Sequence, residues 1–260
     1  MTPNLSKLIK RGRSLADDFD RTIISFESPY RLKDLCPPPE NDPEVHEDNL
    51  GEKLFKLRFA QRDDTLNNAS MLVQKRYAWR GFPKPQLNKY PNRITILSFH
   101  QEKIVGTLTV GYDSEEGLFA DWIYKAEIDA LRAQGKHVGE LSKLAVDDNI
   151  GSKQLLASLI HIAYLYGLIH ECTDAIIEVL PRHQAFYEKM LGFTQIGEER
   201  MHPGVHFPVV LMHLDLDHMR QKIEELGGKG KAARDRSLYP YFFSAQDQEG
   251  ILGRLLREDS

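Results

Sequence analysis

Val138-Gly139-Glu140-Leu141-Ser142-Lys143-Leu144-Ala145-Val146 reads as a strand, and an apolar helix from about Ser152 to Leu168 follows it. A second strand comes next, Asp174-Ala175-Ile176-Ile177-Glu178-Val179-Leu180, strongly apolar at its centre and ended by Pro181. This strand–helix–strand unit is predicted to form the middle of a sheet. Its apolar run, Leu155 to Ile169, is broken by Ser158, His161 and Gly167. That leaves it short of the ~20 clean residues a membrane span needs, so a buried helix is expected and no integral membrane segment.

Upstream, Lys53 to Ala60 alternates as a strand, and Leu66 to Trp79 continues as a helix stopped by Gly81 and Pro83. Arg93 to Phe99 and Lys103 to Tyr112 are β-branched runs joined by His100-Gln101-Glu102, a spacing for an antiparallel hairpin. Phe119 to Gln134 reads as a helix with Trp122, Ile123, Ala126, Ala130 and Leu131 on or near one face and Gly135 at its end. Downstream, Arg182 to Met190 is helical, Leu191-Gly192-Phe193 turns the chain, and Phe207 to Leu216 supplies a last strand. Two helices close the chain, Asp217 to Leu226 and roughly Ser244 to Arg257, the second opened by Ser244 and Asp247 at capping-box-like spacing. The Pro37-Pro38-Pro39-Glu40-Asn41-Asp42-Pro43 run forbids helix and central strand. Residues 1–50 are therefore expected to be an N-terminal extension, 51–216 the domain proper and 217–260 a C-terminal helical extension. The element order is that of an α+β fold with a mixed central sheet flanked by helices.

Composition narrows the function. With 260 residues, 41% of them hydrophobic, the chain can bury a substantial core. Met1 to Arg13 carries basic residues without a following apolar stretch, so no secretory signal is read and a cytoplasmic location is expected. Cys36 and Cys172 lack metal-ligand spacing, and Pro203 and Gly204 between His202 and His206 prevent a helical histidine pair, so no metal site is expected. The net charge of −4 hides two opposed blocks. Asp34 to Glu52 is acidic without Lys or Arg, whereas Met71 to Arg93 is basic without acids and interleaved with aromatics. An acidic chain without a nucleic-acid motif argues against nucleic acid as the partner.

Three stretches carry a more specific message. They are Val105-Gly106-Thr107-Leu108-Thr109-Val110-Gly111-Tyr112-Asp113-Ser114 with Gly117-Leu118; Glu127-Ile128-Asp129-Ala130-Leu131-Arg132 through Glu140 to Asp147; and Glu178-Val179-Leu180-Pro181-Arg182-His183-Gln184-Ala185-Phe186-Tyr187 leading to Leu191-Gly192-Phe193. Together they resemble N-acyl amino acid synthases of the FeeM type over roughly Lys53 to Leu216. The segment Glu140 to Val146 is also similar to the Glu-x-Ser-Arg segment of acyl-homoserine lactone synthases, with Lys143 in place of the Arg. The resemblance implies a GNAT-like fold and an N-acyltransferase that moves a long-chain fatty acyl group from acyl carrier protein to the α-amine of an amino acid. No permanently bound cofactor is implied. The co-substrate would be acyl-phosphopantetheine, on the carrier protein rather than on coenzyme A.

Such chemistry needs a base, an oxyanion site and a proton for the leaving thiolate. Glu140, in a core strand, is the expected base, because burial raises a carboxyl's pKa towards a useful range; the competing reading is a carboxylate that pairs with Lys143 or another cation to organise the sheet. Tyr187, where related enzymes often place a phenol, is expected to protonate the thiolate, with His183 as a further candidate; packing and a local helix-start role compete respectively. The backbone amides around Leu144 to Val146 are expected to face the oxyanion if the strand splays from its neighbour, and Ser142 and Lys143 to contact substrate. Coenzyme A-dependent relatives commonly carry a glycine-rich pyrophosphate loop where this chain has Asp147-Asp148-Asn149-Ile150-Gly151-Ser152-Lys153. One glycine and two acids suit a carrier-borne pantetheine better, with Gly151, Lys153 and the helix N-terminus receiving its phosphate. Lys75, Arg76, Arg80, Lys84 and Lys89 form the expected docking face for acidic carrier protein. The alternatives are an acetyl-coenzyme A-dependent N-acetyltransferase and a non-catalytic acyl-binding module of the same fold.

Overall fold

A computed structural model describes residues 22–28, 53–60, 62–78, 86–147, 150–204 and 206–258. Its eight strands are β1 (Ile24–Ser28), β2 (Lys53–Phe59), β3 (Arg93–His100), β4 (Lys103–Tyr112), β5 (Val138–Val146), β6 (Asp174–Val179), β7 (Thr194–His202) and β8 (Phe207–Asp215). They form one sheet in the order β1-β2-β3-β4-β5-β6-β8-β7. Every pairing is antiparallel except β5 with β6, the pair joined by a crossover helix as a parallel connection requires. The six α-helices are α1 (Asp63–Ala78), α2 (Asp121–Ala133), α3 (Lys153–Ile169), α4 (Pro181–Leu191), α5 (Leu216–Leu226) and α6 (Ala245–Glu258). The α+β expectation holds.

Two layers of helix cover the sheet. The crossover helix α3, buried from Leu155 to Gly167, lies on one face and packs against Leu108, Val110, Ile177 and Val179. On the other face, α1 sits over Leu97 and Ala145, and α2 over Val138, Ile176 and Leu211. Because side chains alternate along a strand, Ile177 points to α3 while Ile176 and Glu178 point to the α2 face.

Local chemistry explains most boundaries. Gln101 and Glu102, with φ of 48° and 59°, form the two-residue turn of the β3–β4 hairpin, where left-handed φ at both positions matches the strands' twist. Ser152 caps α3 by accepting from the amide of Leu155 at 3.0 Å. Pro181 opens α4, and Gly192 closes it at φ 82°. Ser244 and Asp247 form the expected reciprocal cap of α6, with Oγ to Oδ2 at 2.7 Å.

Four expectations change. β1 lies within the supposed N-terminal extension and pairs with β2 as an edge strand. The C-terminal helices share the main core, since Ile251 and Leu255 of α6 are buried and His161 of α3 accepts from the amide of Phe243. β7 is an additional strand between the Gly192 turn and β8; it is mostly exposed and bulged, so its residues show no inside–outside alternation. In α2 the buried residues are Tyr124 and Ile128, whereas Trp122 is 66% exposed and Ala126 and Ala130 face outward. A kink at Tyr124 (φ −117°, ψ 28°) breaks the helical period on which the sequence pattern relied.

Candidate active site

The strands β5 and β6 run paired from Val138/Asp174 to Leu141/Ile177 and then part, although β5 continues to Val146 and β6 to Val179. This is the splay that the oxyanion reading requires. A bulge in β5 sits at the point of divergence: Thr107 of β4 pairs with Ala145, but Thr109 pairs with Ser142, leaving an extra residue in β5. Lys143 absorbs it with φ 53°, and its carbonyl is held by the Thr107 hydroxyl at 2.8 Å. A non-glycine residue in this left-handed region costs about 1–2 kcal/mol, which the surrounding ladder offsets.

Glu140, the expected base, is fully engaged by its surroundings. It is 2% exposed, and both carboxylate oxygens are occupied: the amide of Phe119 donates to Oε2 at 2.9 Å and that of Ala120 to Oε1 at 2.8 Å. Arg93, also buried, brings a guanidinium nitrogen to 3.6 Å from Oε2 and stacks over the Phe119 ring at 3.9 Å. Burial pushes the Glu140 carboxyl up, against the two amide bonds and Arg93. Glu140 thus ties the chain entering α2 to the middle of the sheet, as the sheet-organising reading describes. The cation is Arg93 rather than Lys143.

Glu178, in β6 one residue beyond the last β5–β6 pair, is the acid that the splay exposes. Its side chain is 17% exposed, and Oε1 is buried without a hydrogen-bond partner. Burial, and then the charge of Glu140, raises its pKa to about 7, with Lys143 opposing. Lys143 lies within the same field: its ammonium is 5.7 Å from the Phe119 ring centroid, and burial lowers its pKa while Glu140 and Glu178 raise it. On the far side, Nε2 of His202 in β7 stands 4.0 Å from Oε2 of Glu178. Glu178, Lys143 and His202 therefore converge at the mouth of the splay on the α2 face. Of these, only Lys143 was expected; Glu178 was legible as an acid set among the apolar residues of a strand.

The remaining candidates distribute around this centre. Tyr187 packs edge-on against Phe186 and Phe193 and belongs to the α3-side core, so it and Glu140 lie on opposite faces of the sheet. The amide of His183 donates to Leu180 in the first turn of α4. Ser142 and Leu144 are half-buried beside the bulge, and Val146 is buried in the β4–β5 ladder. Gly151 and Lys153, expected to receive a phosphate, make contacts within the protein. The Gly151 amide donates to Asp147 at 2.8 Å within the loop, and the Lys153 ammonium reaches the Arg236 carbonyl at 3.2 Å and the Tyr241 ring. Of the expected docking residues, Lys75 and Arg76 end α1 and Lys89 pairs with Asp63 at 2.9 Å, while Arg80 and Lys84 lie outside the described residues.

A separate cavity of ≈ 600 Å³ opens near the start of β5, lined by charged side chains that include Asp113, Asp121 and Arg132. Arg132 is already engaged by Asp113, Asp121 and Asp129, so its guanidinium is committed to the fold and the cavity is not assigned to the chemistry.

The family profile for the N-acyl amino acid synthase FeeM matches residues 68–215, more than half of the chain and all of the splayed centre. The chain belongs to this family. Among solved structures, it is similar to FeeM, an N-acyl amino acid synthase from uncultured soil microbes, with 26% identity and a TM-score of 0.58 over 65% of this chain and 94% of that one. The acyl-homoserine lactone synthase LasI matches at 12% identity and TM-score 0.47, over 62% of this chain and 90% of that one. A putative N-acetyltransferase from Lactobacillus plantarum matches at 16% and 0.46, over 62% and 98%. No curated protein matches the chain. Family and fold agree: this is the α+β scaffold of an N-acyl amino acid synthase, and no described helix is long and apolar enough to cross a membrane.

Proposed function

We propose that this synthase-family protein transfers a long-chain fatty acyl group from acyl carrier protein to the α-amine of an amino acid. The observation that carries the reading is the pair Lys143 and Glu178. They are opposite charges, largely buried, electrostatically coupled, and not within ion-pairing distance of one another among the described residues. Buried charges are costly unless compensated, and a zwitterion compensates both: its carboxylate meets Lys143 and its ammonium meets Oε1 of Glu178. A simple amine would neutralise only one.

The reaction follows from that placement. Glu178 accepts a proton from the ammonium, and the freed amine attacks the thioester carbonyl presented through the splay. The N–C bond forms as the C–S bond breaks, and the nitrogen's second proton leaves to solvent. Backbone amides around Leu144 to Val146 are assigned to the oxyanion, and Tyr187, on the α3 side, to protonation of the departing thiolate.

Carrier protein is favoured over coenzyme A by the loop after β5. The amides of Asp147, Ile150 and Gly151 are bonded to Val105 or Asp147 carbonyls, so these donors are not available to cradle a pyrophosphate. The basic end of α1, with Lys75 and Arg76, suits an acidic carrier. Purified protein incubated with a mixture of amino acids and either long-chain acyl carrier protein or acetyl-coenzyme A is expected to yield N-acyl amino acids, seen by mass spectrometry, chiefly from the carrier-bound donor. Equal turnover with acetyl-coenzyme A would overturn the donor assignment.

A further inference from the structure

The Nδ1 of His202 accepts a hydrogen bond from the amide of Gly204 at 3.0 Å. A ring nitrogen that accepts carries no proton, so the neutral imidazole bears its hydrogen on Nε2. That nitrogen faces Oε2 of Glu178 at 4.0 Å, beyond a direct hydrogen bond and within the span of one bridging water. We propose that His202 is the positioning residue for Glu178: its Nε2–H steadies Oε2 through one bridging water, leaving Oε1 for the ammonium of the acceptor. This rests on the assignment of Glu178 as the base.

The surroundings restrict both partners. The Trp122 ring meets the imidazole edge-on, with centroids 5.3 Å apart. Glycine at 204 leaves room for this arrangement, since a Cβ there would stand 3.0 Å from Trp122 and 3.1 Å from His202. The polar groups around Glu178 are Glu140 and Lys143 from β5, Tyr124 from α2 and His202 from β7, while β8 places Leu211 opposite it. Glu140 is occupied by two amides, and the Tyr124 hydroxyl is turned to the carbonyls of Glu198 and Val209 at 2.9 and 2.6 Å. Lys143 is taken by the acceptor's carboxylate. Among the described residues, His202 is the donor left to steady the base. Burial lowers its pKa against a backbone hydrogen bond that raises it, and Lys143 acts in the same direction as burial, which favours the neutral ring.

The test reads the resting protein as well as turnover. The titration of the Glu178 carboxyl and the tautomer of His202 are measured by NMR in the wild type, His202→Gln and His202→Leu. The pH dependence of kcat/KM is followed in parallel. Glutamine still offers an N–H to Oε2 and leucine does not. The wild type is expected to carry the imidazole proton on Nε2. In His202→Leu, loss of a donor to the carboxylate favours its protonated form, so the Glu178 titration and the acidic limb of kcat/KM move up by about one pH unit. His202→Gln is expected to stay close to the wild type. A proton on Nδ1, or an unchanged Glu178 titration in the leucine variant, overturns the proposal. Because both NMR readouts need no substrate, they decide the role of His202 even where a failure to acylate amino acids has rejected the functional reading.

Discussion

Glu178→Gln is expected to lower turnover by ~10²- to 10⁴-fold while the protein stays folded, because glutamine keeps the reach of the side chain and loses its capacity to take a proton. The sign of the stability change separates this role from a structural one. The folded state raises the Glu178 carboxyl to about 7, so between its ordinary value and pH 7 the native protein binds more protons than the unfolded chain, and stability falls as pH rises through that window. Removing the charge relieves this cost. The melting temperature of Glu178→Gln at pH 8 should therefore equal or exceed that of the wild type while activity collapses. A variant with near wild-type turnover, measured by N-acyl product formation, would remove Glu178 from the mechanism.

Glu140→Gln should behave in the opposite way. A glutamine places an NH₂ against one of the two amides that now donate to carboxylate oxygens, and it strips the buried Arg93 of its anion. Breaking a buried pair by removing one partner costs ~3 to 5 kcal/mol, equivalent to a fall of about 6–20 °C in Tm for a domain of this size. Turnover per folded molecule should remain within a few-fold of the wild type, apart from displacement of α2. Thermal denaturation combined with single-turnover assays on the folded fraction checks this. A stable variant with a turnover loss as large as that of Glu178→Gln would restore Glu140 as the base.

The contrast between these two acids shows how far the sequence could be read. Glu140 and Glu178 both stand in apolar strands, and composition treats them alike. What separates them is supplied from a distance: the amides of Phe119 and Ala120, some twenty residues before Glu140, consume its oxygens, while the parting of β5 from β6 leaves Oε1 of Glu178 unpaired. The strand–helix–strand centre and the β3–β4 hairpin were legible because their periodicity and turn residues are local. β7 was not, since a mostly exposed, bulged edge strand has no regular inside–outside alternation to show. The kink at Tyr124 likewise moved the buried face of α2 away from Trp122. The bulge at Lys143 has no sequence signature, as the residue in the left-handed region is neither glycine nor asparagine.

The central claim, that the splay holds a zwitterion between Lys143 and Glu178, is tested most directly by competing an amino acid against its own decarboxylated amine for the same acyl carrier protein donor. The ratio of the two kcat/KM values, each expressed per deprotonated amine, isolates the carboxylate. A charge-assisted contact to Lys143 predicts that the amino acid is preferred by about 10- to 100-fold. Equal acylation of the two acceptors would contradict the account.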